Sequence, residues 1–197
     1  MKVLSLNMII LASASPRRRQ LLELLHIPFS VIESQVDETY DDQQIPEEIV
    51  KELALRKANH VANKLDVARL VIGADTIVVL GQQILGKPKN RKHAVEILTA
   101  LQGTEHYVYT GVAIVDGING RCLVRVSKTL VRMRKLTQQQ IERYVDSGEP
   151  MDKAGAYAIQ GYGSVFVESI EGCYFNVVGL PLSMLTEMME EFGYSLL

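Results

Sequence analysis

Leu70-Val71-Ile72-Gly73-Ala74-Asp75-Thr76-Ile77-Val78-Val79-Leu80 decides how this chain folds. The run is apolar almost without a break, so it does not read as a strand with one wet face. It reads as a central strand covered on both faces, the habit of α/β proteins. Asp75 stands in its middle. An ionised carboxylate there is costly unless it is paired, hydrogen-bonded or bound to metal. Asp75 is therefore either a structural partner of an arginine or of backbone N–H groups, or a functional group. Gly73 and Thr76 beside it favour function, because they mark a place where something approaches the backbone closely.

Upstream, Met8-Ile9-Ile10-Leu11 reads as a buried strand and Gln20 to His26 as a helix. Between them lie Ala12-Ser13-Ala14-Ser15-Pro16 and then Arg17, Arg18 and Arg19. Ser is a preferred N-cap and Pro suits the first helical position. The helix N-terminus this creates is a ready anion site. Arginines in the first turn oppose the helix dipole, and a bound polyanion resolves the conflict; a solvated basic turn is the plainer alternative. Lys2, the apolar run and Ala12-Ser13-Ala14 also mimic a secretory signal with its cleavage site. Ser5 and Asn7 interrupt that run, however, and arginines directly after the cut oppose export. The segment is read as structure and the protein as cytoplasmic.

Downstream, strands and helices interleave. Phe29 to Ser34 reads as a strand, and Val36 to Asp42 as an acidic loop, either solvated or a source of carboxylates for a divalent cation. A helix runs from Pro46 to about Leu65, with Leu53, Lys57 and Val61 on one row. Lys57 there either snorkels to water or aims at a buried anion. Ile84-Leu85 pairs back on the central strand, and Gly86-Lys87-Pro88 ends it. Asn90 caps a helix through Leu101. His106 to Val115 and Leu123 to Val131 form a hairpin, with His106 expected on the strand surface rather than as a ligand. Thr137 and Gln140 form a capping box. Pro150 to Gly163 is too irregular for either period, and such loops often line sites. Val165 to Ile170 is a strand, and Pro181 opens a last helix to about Phe192.

The totals bound the class. The chain has 197 residues, is 47% hydrophobic and 22% charged, and carries a formal charge of −2. That suits one globular domain, residues 1–197, and excludes bulk electrostatic binding of nucleic acid. Two distant cysteines, Cys122 and Cys173, suit neither a zinc site nor a disulfide scaffold and fit a reducing compartment. No run reaches the length of a transmembrane helix. The expected fold is α/β, with a mixed sheet covered by helices.

Six motifs, in order, carry a resemblance. They are Leu11-Ala12-Ser13-Ala14-Ser15-Pro16-Arg17-Arg18, Val36-Asp37-Glu38, Gly73-Ala74-Asp75-Thr76, Gly86-Lys87-Pro88, Asp152 to Tyr157 with Ile159-Gln160-Gly161, and Val178-Gly179-Leu180-Pro181. Each is short, but the ordered set resembles the Maf family of nucleoside triphosphate pyrophosphatases, also called septum-formation-inhibitor proteins. The resemblance implies two lobes with a central cleft, in a fold related to inosine triphosphate pyrophosphatases. It implies hydrolysis of a nucleoside triphosphate to monophosphate and pyrophosphate with a divalent metal, Mg²⁺ or Mn²⁺. Thr76 and the Asp152 to Tyr157 form are similar to the subgroup acting on dTTP, UTP and related or modified pyrimidine nucleotides. By the same match Asp75 is the proton acceptor. Arg17, Thr76 and Gln160 select substrate, while Ser13, Arg18, Glu38, Lys57 and Lys87 surround the triphosphate. Glu38 and Asp75 would hold the metal, and the expected assembly is a homodimer. Arg19 points outward. Two other classes compete: a nucleotide-sensing regulator of cell division using the same pocket, and a nucleic-acid module using Arg17 to Arg19, which the net charge and the few aromatics disfavour.

Overall fold

The computed structural model describes residues 9–41, 44–65 and 70–196. Met8 of the expected first strand and Asp42 of the acidic loop lie outside the described residues. The chain runs β1 (Ile9–Leu11), α1 (Pro16–Glu23), β2 (Phe29–Val31), α2 (Pro46–Ala62), β3 (Leu70–Leu80), β4 (Gln83–Leu85), α3 (Arg91–Leu101), β5 (Glu105–Asp116), β6 (Cys122–Met133), α4 (Gln138–Asp146), β7 (Val167–Glu171), α5 (Tyr174–Val178) and α6 (Leu182–Glu191). The strands form one sheet ordered β2-β1-β3-β5-β6-β7, with β4 paired to β3. β1 runs parallel to β2 and β3, while β4 and β7 run antiparallel to β3 and β6. The α/β class and the mixed sheet are as expected.

Two compact units divide the chain. The first comprises Met1–Asp75, Thr110–Ser127 and Gly179–Leu197; the second comprises Thr76–Tyr109 and Lys128–Val178.

In the first unit, β1 is fully buried, which suits a sheet strand with partners on both sides. Ile9, Ile10 and Leu11 are therefore sheet core. α1 begins where the cap chemistry places it, with Ser15 as N-cap and Pro16 in the first turn. It stops at Glu23, earlier than the expected His26, whose φ of 52° is left-handed and cannot continue a helix. α2 buries Ile49, Val50, Leu53, Ala54, Lys57, Ala58, Val61 and Ala62, a stripe at helical spacing. This stripe comes unusually close to the sheet. A Cβ on Gly73 would stand 2.2 Å from the Ala54 carbonyl oxygen, and one on Gly111 2.2 Å from that of Val50. The close approach expected beside Asp75 is thus made by α2.

In the second unit, a core of Val78, Leu98, Val108, Val131, Ile141, Tyr144, Tyr157 and Phe166 gathers α3, α4 and the outer strands. Asn90 caps α3 by accepting from the His93 amide, and Thr137 and Gln140 complete the capping box on α4. The irregular segment resolves into short 3-10 turns at Glu149–Asp152, Ala154–Ala156 and Gly161–Phe166. The last of these absorbs Val165 and Phe166, so β7 starts at Val167. α5 has no counterpart in the sequence reading, because five residues are too few to show a helical period.

Candidate active site

The first unit holds a charged cluster built on three elements. Gly73 and Asp75 are two apart on β3, so they share a face of the strand. α2 lies against that face at Gly73, and its Lys57 therefore reaches Asp75. Lys57 Nζ donates to Asp75 Oδ1 at 2.5 Å and pairs with Glu38 Oε1 at 2.7 Å. The side chains of Lys57 and Asp75 are only 8% and 11% exposed, whereas that of Glu38 is 53% exposed. Lys57 thus points inward to an anion, the second of its two possible fates.

The loop carrying Glu38 has no regular structure, yet it is tied down. The Asp37 carboxylate accepts from the Thr39 amide and hydroxyl, and those bonds hold its pKa below the ordinary range. Arg56 Nη1 donates to the carbonyls of Asp37 at 2.6 Å and Thr39 at 3.1 Å. Arg56 thus holds the backbone on either side of Glu38 while its neighbour Lys57 holds the carboxylate. Arg56 was not legible beforehand: its helical spacing from Glu52 signals only a surface ion pair, which it also makes.

The third element is the start of α1. Ser13 is buried, and its hydroxyl accepts from the Ser15 amide at 3.2 Å and from Arg18 Nη1 at 3.4 Å. Arg18 Nε donates to the Gly179 carbonyl at 2.8 Å, which fixes the guanidinium. Burial lowers the Arg18 pKa, the charges of Asp75 and Glu38 raise it, and Arg17 lowers it. These mutual influences place Arg17, Arg18, Asp75 and Glu38 in one field. Arg19 is exposed and pairs with Glu23, pointing outward as expected.

Two carboxylates already converge on one cationic nitrogen. Hard oxygen donors of this kind suit Mg²⁺ or Mn²⁺, which take one or two protein carboxylates and complete their shell with phosphate oxygens and water. Among the described residues no group of three or more His, Cys, Asp or Glu is placed to hold a metal ion, so protein ligands alone number two here. Glu38 and Asp75 therefore fit such an ion with substrate supplying the other ligands.

Thr76, Lys87 and Gln160 belong to the second unit. Thr76 is half-buried on β3, Lys87 is exposed on the loop after β4, and Gln160 is half-buried at the start of a 3-10 turn. The Gly86 carbonyl accepts from the Gly155 amide at 3.2 Å, which ties the Lys87 loop to the Asp152 to Tyr157 segment. That segment is anchored again by Tyr157, whose hydroxyl lies 2.7 Å from His106 Nε2. His106 is 1% exposed, which corrects its expected place on the strand surface. The alternation explains it: His106, Val108 and Thr110 share one face of β5, and all three are buried. Burial lowers the His106 pKa to about 4 and pushes the Tyr157 hydroxyl up.

The chain is thus an α/β protein in which the capped start of α1 brings Arg18 into the field of two carboxylates paired by Lys57. The chain belongs to the Maf family, whose sequence profile, described as "Maf-like protein", matches residues 8–192. A dTTP/UTP pyrophosphatase of Desulforamulus reducens is 54% identical over 185 residues, 94% of this chain and 96% of its own. A dTTP/UTP pyrophosphatase of Pelotomaculum thermopropionicum is 51% identical over 189 residues, 96% of this chain and 98% of its own. The Ham1 protein of Staphylococcus aureus shares the fold at 15% identity, with a TM-score of 0.51 over 93% of this chain and 98% of that one.

Proposed function

We propose that this chain hydrolyses dTTP, UTP and related pyrimidine nucleoside triphosphates to the monophosphate and pyrophosphate. The observation that carries the reading is Lys57 joining Glu38 and Asp75 within the field of Arg18. The names of the relatives at 54% and 51% identity support it, and they favour a hydrolase over a regulator of cell division.

Arg17 and Arg18, with Ser13 and the N-terminus of α1, bind the phosphates through charge-assisted contacts. Glu38 and Asp75 are the residues that would hold Mg²⁺ or Mn²⁺, which when bound polarises phosphoryl oxygens. Asp75 takes the proton of the water that attacks the α-phosphorus, and pyrophosphate leaves. Lys57 orients both carboxylates, and its charge offsets the negative charge developing on the phosphates. In the second unit, Lys87 meets phosphate charge, and Thr76 and Gln160 select the base. The single-domain reading of residues 1–197 is part of the proposal, supported by the family match over 8–192. So are a homodimer and a cytoplasmic setting, the latter supported by the two free cysteines. No helix among the described residues is long and apolar enough to cross a membrane.

The test is a panel of nucleoside triphosphates with purified protein, scored for monophosphate and pyrophosphate. dTTP and UTP should be the best substrates, with turnover lost to a chelator and restored by Mg²⁺ or Mn²⁺. Release of orthophosphate and a diphosphate, or no turnover, would sink the proposal.

A further inference from the structure

Glu149 stands outside the charged cluster, at the turn that follows α4, and it has no role in the chemistry above. Its carboxylate is nonetheless among the most heavily engaged in the second unit. Oε1 accepts from the Tyr144 hydroxyl at 2.9 Å and from the Gly163 amide at 3.0 Å, and Oε2 accepts from the Tyr162 amide at 3.0 Å. Using both oxygens fixes the orientation of the carboxylate. Gly161 has a φ of 68°, and a Cβ there would stand 2.6 Å from Glu149 Oε2. The carboxylate therefore rests against the Gly161 backbone and can do so only because that residue is glycine. Residues 161, 162 and 163 are thus all held by one side chain, and Gln160 is the residue directly before them.

That segment is a 3-10 turn, not a helix or strand that would order itself. Glu149 is held in turn: its amide donates to the Ser147 hydroxyl at 3.2 Å, and Lys153 Nζ donates to its carbonyl at 2.5 Å. Burial pushes the Glu149 carboxyl up, but the amides of Gly163 and Tyr162, the Tyr144 hydroxyl and the Lys153 charge outweigh this, leaving its pKa below the ordinary range. An ionised acceptor meets those donors better than a neutral one.

We infer that Glu149 is a positioning residue for substrate selection, which sets Gln160 for the base by clamping Gly161 to Gly163. The inference rests on the reading that Gln160 contacts the base. Glu149→Gln keeps the size of the side chain but turns an NH₂ toward an N–H donor. Loss of one charge-assisted hydrogen bond corresponds to about a tenfold effect.

The experiment compares wild type, Glu149→Gln, Gln160→Ala and the double variant on dTTP, UTP and dGTP, with KM and kcat taken separately. Glu149→Gln should raise KM for dTTP about tenfold, keep kcat within about twofold, and narrow the preference for dTTP over dGTP. Added to Gln160→Ala, it should cost little more, because the two act through one contact. The Tyr162 and Gly163 amides should also exchange hydrogen faster in Glu149→Gln. Unchanged KM and base preference, or a fall in kcat alone, would overturn the inference. If wild type turns over dTTP but Gln160→Ala keeps its base preference, the inference falls while the proposed reaction stands. If wild type hydrolyses none of the triphosphates, the proposed reaction falls and takes the inference with it. Should Glu149→Gln not fold, Tyr144→Phe removes one donor alone and is judged by the same KM and preference criteria.

Discussion

Lys57 Nζ lies within 2.7 Å of two carboxylates while only 8% of its side chain is exposed. Breaking such a pair from one side leaves buried charge without a partner. Lys57→Met should therefore cost about 3 kcal/mol in urea unfolding, discounted from the upper range because Glu38 is half exposed. The cost should shrink in an Asp75→Asn background; a loss of less than about 1 kcal/mol in the wild-type background would show that water screens the pair. His106 makes a separate prediction. Its pKa falls from an unfolded value near 6.5 to about 4 through burial. Between those values the unfolded chain binds a proton that the folded chain does not, so stability rises with pH across the window. It is fully present above about pH 6.5 and drains away as pH falls toward 4. Below pH 6 the wild type should lose up to about 1.4 kcal/mol per pH unit more than His106→Gln. Parallel slopes for the two proteins from pH 6 to 4.5 would contradict the assignment. The sequence left the direction of Lys57 open, because helical spacing gives the row but not what lies across from it. His106 was misplaced for a different reason: the phase of β5 was available, but a histidine carries no signal that its partner, Tyr157, is also buried.

α2 sets the site because it approaches the sheet more closely than side chains normally allow. Gly73 and Gly111 make this possible, each with a helix carbonyl about where a Cβ would be. Gly73→Ala should push α2 outward, cost roughly 1–3 kcal/mol, and lower turnover by pulling Lys57 from Asp75. Gly86→Ala is the matched comparison for stability, since nothing lies within 4 Å of a Cβ there and its φ is not left-handed. It should stay within about 0.5 kcal/mol of wild type. Equal unfolding midpoints for the two variants would remove the close approach as an explanation. Elements whose cause is local were legible: the Ser15, Asn90 and Thr137 caps fall where expected, and β3 has the expected bounds. Elements held by distant partners were not. β2 ends at Val31 rather than Ser34, α5 is too short to show a period, and the 3-10 turn after Gln160 bonds its Tyr162 and Gly163 amides to the distant Glu149.

For the whole molecule, a formal charge of −2 coexists with a local group of cations, because Arg17, Arg18 and Lys57 all lie in one unit. The strand at the middle of the sheet also carries Asp75, the residue proposed as the base. The covered faces of β3 make Asp75 nearly inaccessible to bulk water, α2 supplies its partner Lys57, and α1 brings Arg18 into its field. The cap of α1 and the place of Asp75 within β3 could be read from residue types and order; the bridging by Lys57 and the support from Arg56 needed the packed chain. Asp75 is proposed as the base that activates water against the α-phosphorus. The direct measurement is the rate of pyrophosphate release from dTTP by Asp75→Asn against wild type at saturating Mg²⁺, with the fold of both checked by thermal unfolding. Asp75→Asn should lose about 10²–10⁴ in kcat while remaining folded. A folded Asp75→Asn protein that keeps near wild-type turnover would contradict it.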